Sequence, residues 1–394
     1  PDERSPLERF RTAPKRPLSV TDIVSPAWCE IQYWYSLTKH GRKKRTPAMK
    51  QGSKVHKVLE DQVHTTVEVQ VRSREDFWGL KIWNIIQGLR SLRQFGLTRE
   101  LEIWGVVDGQ VINGIIDELS YTCPDEELEA KLSAEKDDGS NPPPDQPSIT
   151  EYFQMKGATH LESSNSQLET TAPTRKVYIT DVKTRGSKTL PQGSSMRPTM
   201  MQLMLYRRLL SDLSTNKVEA AVIFDRYALK ADDAFTDAFI AEVGGLEHNF
   251  GDVDDASDAG DPVQLFHNED DTVSELTAHN TLSKLWQLMI QEFAKAMSSS
   301  LDPDSKSSVA VGDILRAEFR SAQTGSILGS KTFPYDELRL DAYLKDELSW
   351  WKGERKAKGV DIEEAFKCRI CEFADVCEWR QGKLDEAAKA RKEK

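Results

Sequence analysis

Cysteine is scarce in this chain of 394 residues, which contains only five, an odd number. So small and uneven a set, with three members clustered near the carboxyl end, is not the disulfide framework typical of small secreted proteins. Long apolar runs are also lacking, since stretches such as residues 220–224 are far too short to cross a bilayer. The sequence has no G-x4-G-K-[ST] motif. These absences argue against a disulfide scaffold, a membrane-spanning protein and an ATP-driven helicase, and they favour a reducing compartment.

The net charge of the chain is strongly negative, at −11, but it is unevenly distributed. Residues 123–173 contain eleven acids and three bases, and residues 247–273 contain nine acids and no Lys or Arg. Both stretches are rich in Asp, Glu, Ser, Gly and Pro, a composition typical of disordered insertions. The remaining residues carry a net positive charge, and residues 31–59 contain no acid. The body of the protein therefore has the charge to bind a nucleic acid.

The periodicity of apolar residues predicts an alternation of helices and strands. Helices are predicted at 18–39, from Gly52 onward after a basic loop at 39–51, and at 76–95, 198–213, 282–297 and 336–352. Strands are predicted at 100–119, as a hairpin around Asp108-Gly109, at 176–184, at 218–227 and within 314–335. This order predicts an α/β fold with a mixed central sheet. We expect one interlaced domain over 18–382, with 1–17 and 383–394 as tails.

Two aspartates lie at the ends of predicted strands, at Asp117 and Asp181. Carboxylates from adjacent strands are the oxygen ligands that Mg²⁺ prefers, and Mn²⁺ can substitute for it. A cation held there can polarise a phosphodiester and activate water. Strand alternation places Asp181 and Lys183 on the same face, where the lysine can orient the water or stabilise developing charge. The pattern predicts a metal-dependent nuclease site.

Three further residues fit this site in sequence order. His56, on a predicted helix, can add an imidazole ligand, and Gln202 and Tyr206 lie one turn apart on the helix after Asp181. Each residue alone has an ordinary structural explanation, such as a partly buried histidine or a helix surface position. The combined order G-x3-H, I-I-D, D-V-K-T and Q-x3-Y argues against chance.

Four cysteines bracket the chain, with Cys29 near its start and the C-x2-C-x5-C group Cys368, Cys371 and Cys377 near its end. Four thiolates can hold an iron–sulfur cluster or a structural zinc ion, and the spacing alone leaves both open. Zinc sites are more often built from two close pairs, so one remote cysteine with three clustered ones favours a cluster. Cys123 is expected to be a free thiol.

The chain resembles the exonuclease V family, a branch of the RecB-like PD-(D/E)xK nucleases that carries an iron–sulfur cluster. The resemblance lies in LSVTDIVSPAWCEIQYWYSL, RTPAMKQGSKVHKVLE, INGIIDEL, VYITDVKTR, MMQLMLYRRLL and KCRICEFADVCEWR. It implies a restriction-endonuclease-like core with a mixed sheet, wrapped by a helical layer that a 4Fe–4S cluster staples together. It also implies a Mg²⁺-dependent exonuclease that releases short oligonucleotides from single-stranded DNA, from the 5′ end, in DNA repair or genome maintenance in the mitochondrion or nucleus.

The same resemblance assigns roles to individual residues. It implies that the metal ligands are His56, Asp117 and Asp181, and that the catalytic lysine is Lys183. The supporting catalytic residues are then Gln202 and Tyr206. The cluster ligands that it implies are Cys29, Cys368, Cys371 and Cys377.

Basic residues near these motifs are expected to contact DNA, namely Arg42, Lys43, Lys44, Arg45, Lys50, Lys54, Arg185 and Arg197. The expected partners are single-stranded DNA and a single-strand-binding protein, and the chain is expected to be a monomer that binds no membrane. Two alternatives stay open at this point: a non-catalytic iron–sulfur protein that binds DNA, and an endonuclease.

Overall fold

The computed structural model describes residues 2–42, 47–62, 71–138, 175–245, 269–298 and 310–392. Its strands are β1 (Leu18–Ser19), β2 (Leu97–Val107), β3 (Gln110–Ser120), β4 (Val177–Arg185), β5 (Val311–Ser321) and β6 (Ile327–Pro334). Its α-helices are α1 (Pro6–Phe10), α2 (Val20–Val24), α3 (Glu30–His40), α4 (Pro47–Glu60), α5 (Arg74–Phe95), α6 (Glu126–Asp138), α7 (Arg197–Ser214), α8 (Ala220–Arg226), α9 (Asp237–Gly245), α10 (Glu269–Ala278), α11 (Leu282–Ala296), α12 (Glu337–Trp351) and α13 (Glu378–Lys392). None of the helices in these ranges has both the length and the apolar character that a membrane span requires.

The strands form one mixed six-stranded sheet, which confirms the predicted α/β class with a mixed sheet. Strand β3 pairs with β2 along its length, with β1 near its start and with β4 near its end. Strand β5 follows β4 in parallel, and β6 closes the sheet in antiparallel orientation. The parallel pairs β1–β3 and β4–β5 require long crossover connections, which the intervening helices supply.

The β2–β3 hairpin is confirmed, and its turn fixes the register of both strands. Asp108 and Gly109 both have positive φ, 49° and 73°, the conformation of a two-residue type I′ turn. Val107 therefore pairs with Gln110, and the pairing runs out to Leu97 and Ser120.

Two long helices build the core against this hairpin. Helix α5 starts at a capping box formed by Ser73 and Asp76, ends at the left-handed Gly96, and packs on β2 and α11. Three tryptophans meet between these elements, with ring centroids 5.3 Å apart for Trp78 and Trp104 and 5.9 Å for Trp104 and Trp286. Helix α7 lies across β2, β4 and β5, so it is the helix that reaches the strands carrying the predicted acids.

The prediction of one continuous helix over 18–39 is wrong. Leu18 and Ser19 pair with β3, and the Ser19–Asp22 capping box starts the short helix α2. Pro26 lies in a tighter 3-10 turn, Ser25–Ala27, and Cys29 is extended, with φ −168° and ψ 115°, directly before α3. The break therefore places Cys29 at the amino end of a new helix.

The prediction of a strand over 218–227 is also wrong, because residues 220–226 form helix α8. The apolar run is too short for its period to distinguish strand from buried helix, and two alanines favour the helix. Helix α4 starts at Pro47, earlier than the predicted Gly52, as suits the fixed φ of proline at a first helical position.

Most of the described residues of the two acidic segments are helical. Residues 126–138 form α6, and Glu129 ties it to the sheet by accepting hydrogen bonds from Tyr178 at 2.7 Å and Lys176 at 2.9 Å. Residues 269–273 belong to α10. Residues 139–173 and 247–268 lie outside the described residues. At the carboxyl end, α13 continues to Lys392 and buries none of its residues.

Residues 2–17, predicted to be part of a tail, contribute a buried ion pair to the fold. Arg11 donates two hydrogen bonds to Asp22, at 2.6 and 2.9 Å, and both side chains are only 2% exposed. The hydroxyl of Tyr33 donates to the same carboxylate at 2.6 Å. Burial alone would raise the pKa of Asp22, but the bonds and charge of Arg11 lower it overall. The amino-terminal segment is therefore anchored to α2 and α3.

Replacing Arg11 by methionine should lower the free energy of unfolding by about 3 kcal/mol, because it leaves the buried Asp22 carboxylate with only the exposed Arg16, at 3.3 Å, as its counter-charge. The pair should also fail in acid: since the pKa of Asp22 is lowered in the folded state, its contribution is present above the unfolded pKa and disappears as pH falls. Urea denaturation at several pH values measures both effects. Arg4→Met, which removes an exposed ion pair with Asp2, is the matched control.

Candidate functional site

Asp117 and Asp181 meet where β3 and β4 stop pairing. Glu118 pairs with Thr180, so the two aspartates are the next residues in register on the adjacent strands. The backbone N–H of Val182 donates to Asp117 at 2.7 Å and fixes that carboxylate across the gap. Burial, followed by the negative charge of Asp181, raises the pKa of Asp117 to about 7. Two carboxylates forced together in this way favour the arrival of a cation.

Asp181 is fully buried, and Lys183 lies on the same side of β4, as strand alternation predicts. The ammonium group of Lys183 donates to Oδ1 of Asp181 at 2.8 Å. The other oxygen, Oδ2, is buried and has no hydrogen-bond partner among the described residues. Burial would lower the pKa of Lys183, but the charges of Asp181 and Asp117 raise it overall, so the lysine stays positive.

Helix α4 places His56 beside Asp117. Gly52 lies so close to β4 that an added Cβ would stand 2.7 Å from the hydroxyl oxygen of Thr184. One turn later, Nε2 of His56 lies 3.1 Å from the carbonyl oxygen of Val182, and Nδ1 lies 3.8 Å from Asp117. Packing therefore explains the G-x3-H spacing. Gly52 allows α4 to lie close to β4, and His56, one turn later, reaches the Val182 carbonyl as a result.

Helix α7 covers the site from another direction with Gln202 and Tyr206. The amide nitrogen of Gln202 donates to the Tyr206 hydroxyl at 3.2 Å. Tyr206 is buried, and a Cβ at Gly114 would stand 2.7 Å from its ring. Burial, and then the charges of Asp117 and Asp181, raise the pKa of Tyr206 well above its usual value. The phenol therefore remains a neutral donor facing two carboxylates.

One residue of this cluster, Glu100 on β2, was not among those predicted from the sequence. Its carboxylate lies 3.1 Å from Nδ1 of His56. His56, Glu100 and Asp117 offer ligand atoms that all lie within 4.8 Å of one another. A signal for it exists in the sequence, because a two-residue turn at Asp108-Gly109 places Glu100 opposite Asp117 in the hairpin.

The four predicted cysteine ligands also come together. Cys29, Cys368, Cys371 and Cys377 line one pocket, between Trp28 and Phe373. Burial raises the pKa of Cys29 to about 11. Cys123 lies elsewhere, just before α6, where burial raises its pKa.

Polar contacts connect the cysteine segment to helix α7. Glu364 pairs with Arg197, the first residue of α7, and accepts a hydrogen bond from the buried Lys367 at 2.7 Å. Lys367 also donates to the carbonyl of Trp28 at 3.1 Å, directly before Cys29. The helix that carries Gln202 and Tyr206 is thus bonded at its start to the pocket of cysteines.

The basic residues predicted to bind DNA do not form one uniform group. Arg42, Lys50 and Lys54 are exposed near or on α4, the helix that carries His56. The guanidinium of Arg185 lies 5.9 Å from the ring centroid of Phe319, and Arg197 is paired with Glu364. Lys43, Lys44 and Arg45 lie outside the described residues.

Comparison with known proteins gives one consistent result. The model of a family described as "Exonuclease V - a 5' deoxyribonuclease" matches residues 5–380. "Exonuclease V" of Danio rerio is 26% identical over 383 residues, which cover 96% of this chain and 74% of that protein. "Exonuclease V, mitochondrial" of Eremothecium gossypii is 23% identical, covering 92% of this chain and 76% of that protein. The protein of the same name in Candida albicans (strain WO-1) is 22% identical, covering 94% and 74%.

Proposed function

This chain belongs to the exonuclease V family, and from that premise we propose that it is a metal-dependent exonuclease that degrades single-stranded DNA from its 5′ end. The observation that carries the proposal is the meeting of Asp117, Asp181 and Lys183 at the end of the β3–β4 pairing. A mere strand terminus would leave these groups solvated. Here a buried carboxylate oxygen of Asp181 has no hydrogen-bond partner among the described residues, as a cation ligand requires.

The proposed core is of the PD-(D/E)xK type, and the proposed ligands of its Mg²⁺ ion are Asp117, Asp181 and His56. The donor set fits, because two carboxylates and one imidazole suit Mg²⁺ or Mn²⁺. A bound divalent cation supplies Lewis-acid polarisation of the phosphodiester and lowers the pKa of water. Burial, and then the negative charge of Asp181, raise the pKa of Asp117. A bound cation would offset both the burial of the charge and the repulsion between the two carboxylates.

The remaining residues are proposed to position the substrate and water. The charge of Lys183 is maintained by Asp181, so its ammonium group can hold the attacking water and neutralise charge on the phosphoryl oxygens. Tyr206 stays a neutral donor beside the acids, and Gln202 fixes the direction of its hydroxyl group. The exposed Lys50 and Lys54 on α4 are placed to attract the phosphate backbone.

The pocket of cysteines is proposed to hold a 4Fe–4S cluster that staples the two ends of the chain. The four cysteines line one pocket although Cys29 comes from the start of the chain and the other three from a cluster near its end. Zinc sites are more often built from two close pairs of cysteines, so this arrangement suits a cluster better than a single zinc ion.

The cellular role that we propose is DNA repair or genome maintenance in the mitochondrion, with the nucleus as a second location. The fungal relatives that carry "mitochondrial" in their names support the first location. We further propose that the enzyme acts as a monomer, with a single-strand-binding protein as its accessory partner.

Digestion of end-labelled strands tests the activity. With Mg²⁺, a 5′-labelled single strand should yield short labelled products at once, whereas a 3′-labelled strand should release its label only late. A circular single strand should remain intact, because it has no end. Cutting of the circle would replace the proposal by an endonuclease, and binding without any cleavage would replace it by a non-catalytic DNA-binding protein. A blunt duplex of the same sequence tests the preference for single strands.

A further inference from the structure

Glu100 occupies a conformation that a glutamate in a strand ordinarily avoids. Its φ is +52°, in the left-handed region, although it lies inside β2 between residues that pair regularly with β3. Such a conformation costs free energy for any residue with a Cβ, and residues held in this way cluster at functional sites. No turn begins or ends at this position, and the contacts of the Glu100 side chain offer a reason for the conformation.

The kink changes the direction of the side chains around it. In a regular strand Thr98 and Leu101 would point to opposite faces, but both approach Gly88 of α5. The alternation therefore shifts at Glu100, which stands opposite Asp117 in the hairpin register. The shift leaves its carboxylate 3.1 Å from Nδ1 of His56, with both side chains about a quarter exposed.

The two nitrogens of His56 face different oxygen atoms. Nδ1 faces Glu100 and Nε2 faces the carbonyl of Val182, each at 3.1 Å. Asp117 also lies near Nδ1, but at 3.8 Å it is beyond hydrogen-bond length. A neutral imidazole has one N–H, and the carboxylate of Glu100 is the stronger acceptor for it. The lone pair then remains on Nε2, beside the carbonyl of Val182, the residue that lies between Asp181 and Lys183 on β4.

We propose that Glu100 is a positioning residue that holds His56 with its proton on Nδ1, so that Nε2 is free to bind the divalent cation. This inference rests on the proposed function. Histidines that bind metals commonly donate their second N–H to a carboxylate, which fixes the tautomer and the ring orientation. The competing role, in which Glu100 itself binds the cation, also agrees with the 4.8 Å cluster of His56, Glu100 and Asp117.

Two substitutions separate these roles through Mn²⁺ affinity, measured by electron paramagnetic resonance without DNA. Glu100→Ala should lose about 10- to 100-fold in affinity, as expected for loss of such a partner. Glu100→Gln should keep most of the affinity, because its amide oxygen still accepts the Nδ1 proton while binding a cation poorly. Equal losses in the two variants would make Glu100 a ligand and overturn the positioning role, and unchanged affinity in Glu100→Ala would overturn both.

The tautomer gives a second readout that needs no metal. In protein labelled with ¹⁵N-histidine at alkaline pH, the His56 ring should carry its proton on Nδ1 in the wild type and in Glu100→Gln. In Glu100→Ala the proton should move to Nε2, where the Val182 carbonyl accepts it. A His56→Ala sample identifies the signal among the seven histidines. An unchanged tautomer in Glu100→Ala would overturn the inference.

A third variant separates positioning from structural support. Glu100→Gly lacks the carboxylate but accepts the positive φ, so it should melt about 2–4 °C above Glu100→Ala while binding Mn²⁺ equally weakly. A purely structural role would instead restore affinity along with stability. Glu102→Ala, two residues along β2, where the carboxylate bonds to Lys81 instead, is the matched control. Wild-type protein that binds no Mn²⁺ would contradict the proposed function itself, whereas normal metal binding in Glu100→Ala contradicts only the role of Glu100.

Discussion

Replacing Asp181 by alanine should lower the rate of DNA cleavage by at least about 10³-fold. A catalytic metal contributes on the order of several kcal/mol to transition-state stabilisation, and each 1.4 kcal/mol or so is tenfold in rate. The substitution removes both the buried oxygen without a hydrogen-bond partner and the acceptor of the Lys183 hydrogen bond. Affinity for a labelled single strand, measured by anisotropy, should change little, because a carboxylate offers no attraction to phosphates.

Asp232→Ala, which changes an exposed aspartate on the surface, is the matched control and should cleave as the wild type does. The two variants need identical purification, since a trace of contaminating nuclease would hide the loss. Wild-type turnover in Asp181→Ala would remove this residue from the catalytic assignment. A large loss of DNA affinity along with cleavage would instead indicate that Asp181 maintains the DNA-binding surface.

Replacing Cys371 by serine should remove the brown colour expected of the cluster and destabilise the protein by about 6 kcal/mol. The estimate follows from the entropy of closing a loop of this length, between residues 29 and 368, and it is comparable to the whole stability of many domains. Because Glu364 in the same segment holds the first residue of α7, DNA binding and cleavage should fall as well. Absorbance in the visible range, thermal melting and strand binding measure the three effects.

Cys123→Ser is the control for this experiment, since Cys123 lies outside the pocket of cysteines. It should keep the colour, the melting temperature and the activity. Elemental analysis of anaerobically purified wild-type protein gives the decisive comparison: one zinc per chain and no iron would reject the cluster. A Cys371→Ser protein that loses its colour yet binds and cleaves DNA normally would reject the coupling between the cysteine segment and α7.

Local signals in the sequence predicted the structure correctly where a single chemical requirement determines the local conformation. The Asp108-Gly109 turn fixed the hairpin, because few other dipeptides accept two positive φ values. The D-V-K alternation placed Asp181 and Lys183 on one side of β4, where they are bonded. The motif G-x3-H was informative because the close approach of α4 to Thr184 excludes a side chain at Gly52.

The errors arose where distant parts of the chain decide the outcome. Helix α8 at residues 220–226 is apolar over a run too short to show its period, so its burial, not its pattern, decides its structure. Arg197 is paired with Glu364, about 170 residues later, and no local pattern indicates that partner; its contact with DNA stays a prediction. Glu100 was missed because its contact with His56 depends on a kinked backbone and on a histidine from another element.

The order of the four cysteines along the chain determines when, during synthesis, the site that they form can be completed. Cys29 leaves the ribosome well before Cys368, and at about 5–20 residues per second the interval is roughly 20–70 s. By the end of that interval the whole sheet has been synthesised, since β1 precedes Cys29 and β6 ends at Pro334. Whatever the four thiols bind, the complete site can exist only after Cys377 has been synthesised, which is later than every strand of the sheet. The proposed cluster would therefore be assembled on a polypeptide whose catalytic strands have already been made.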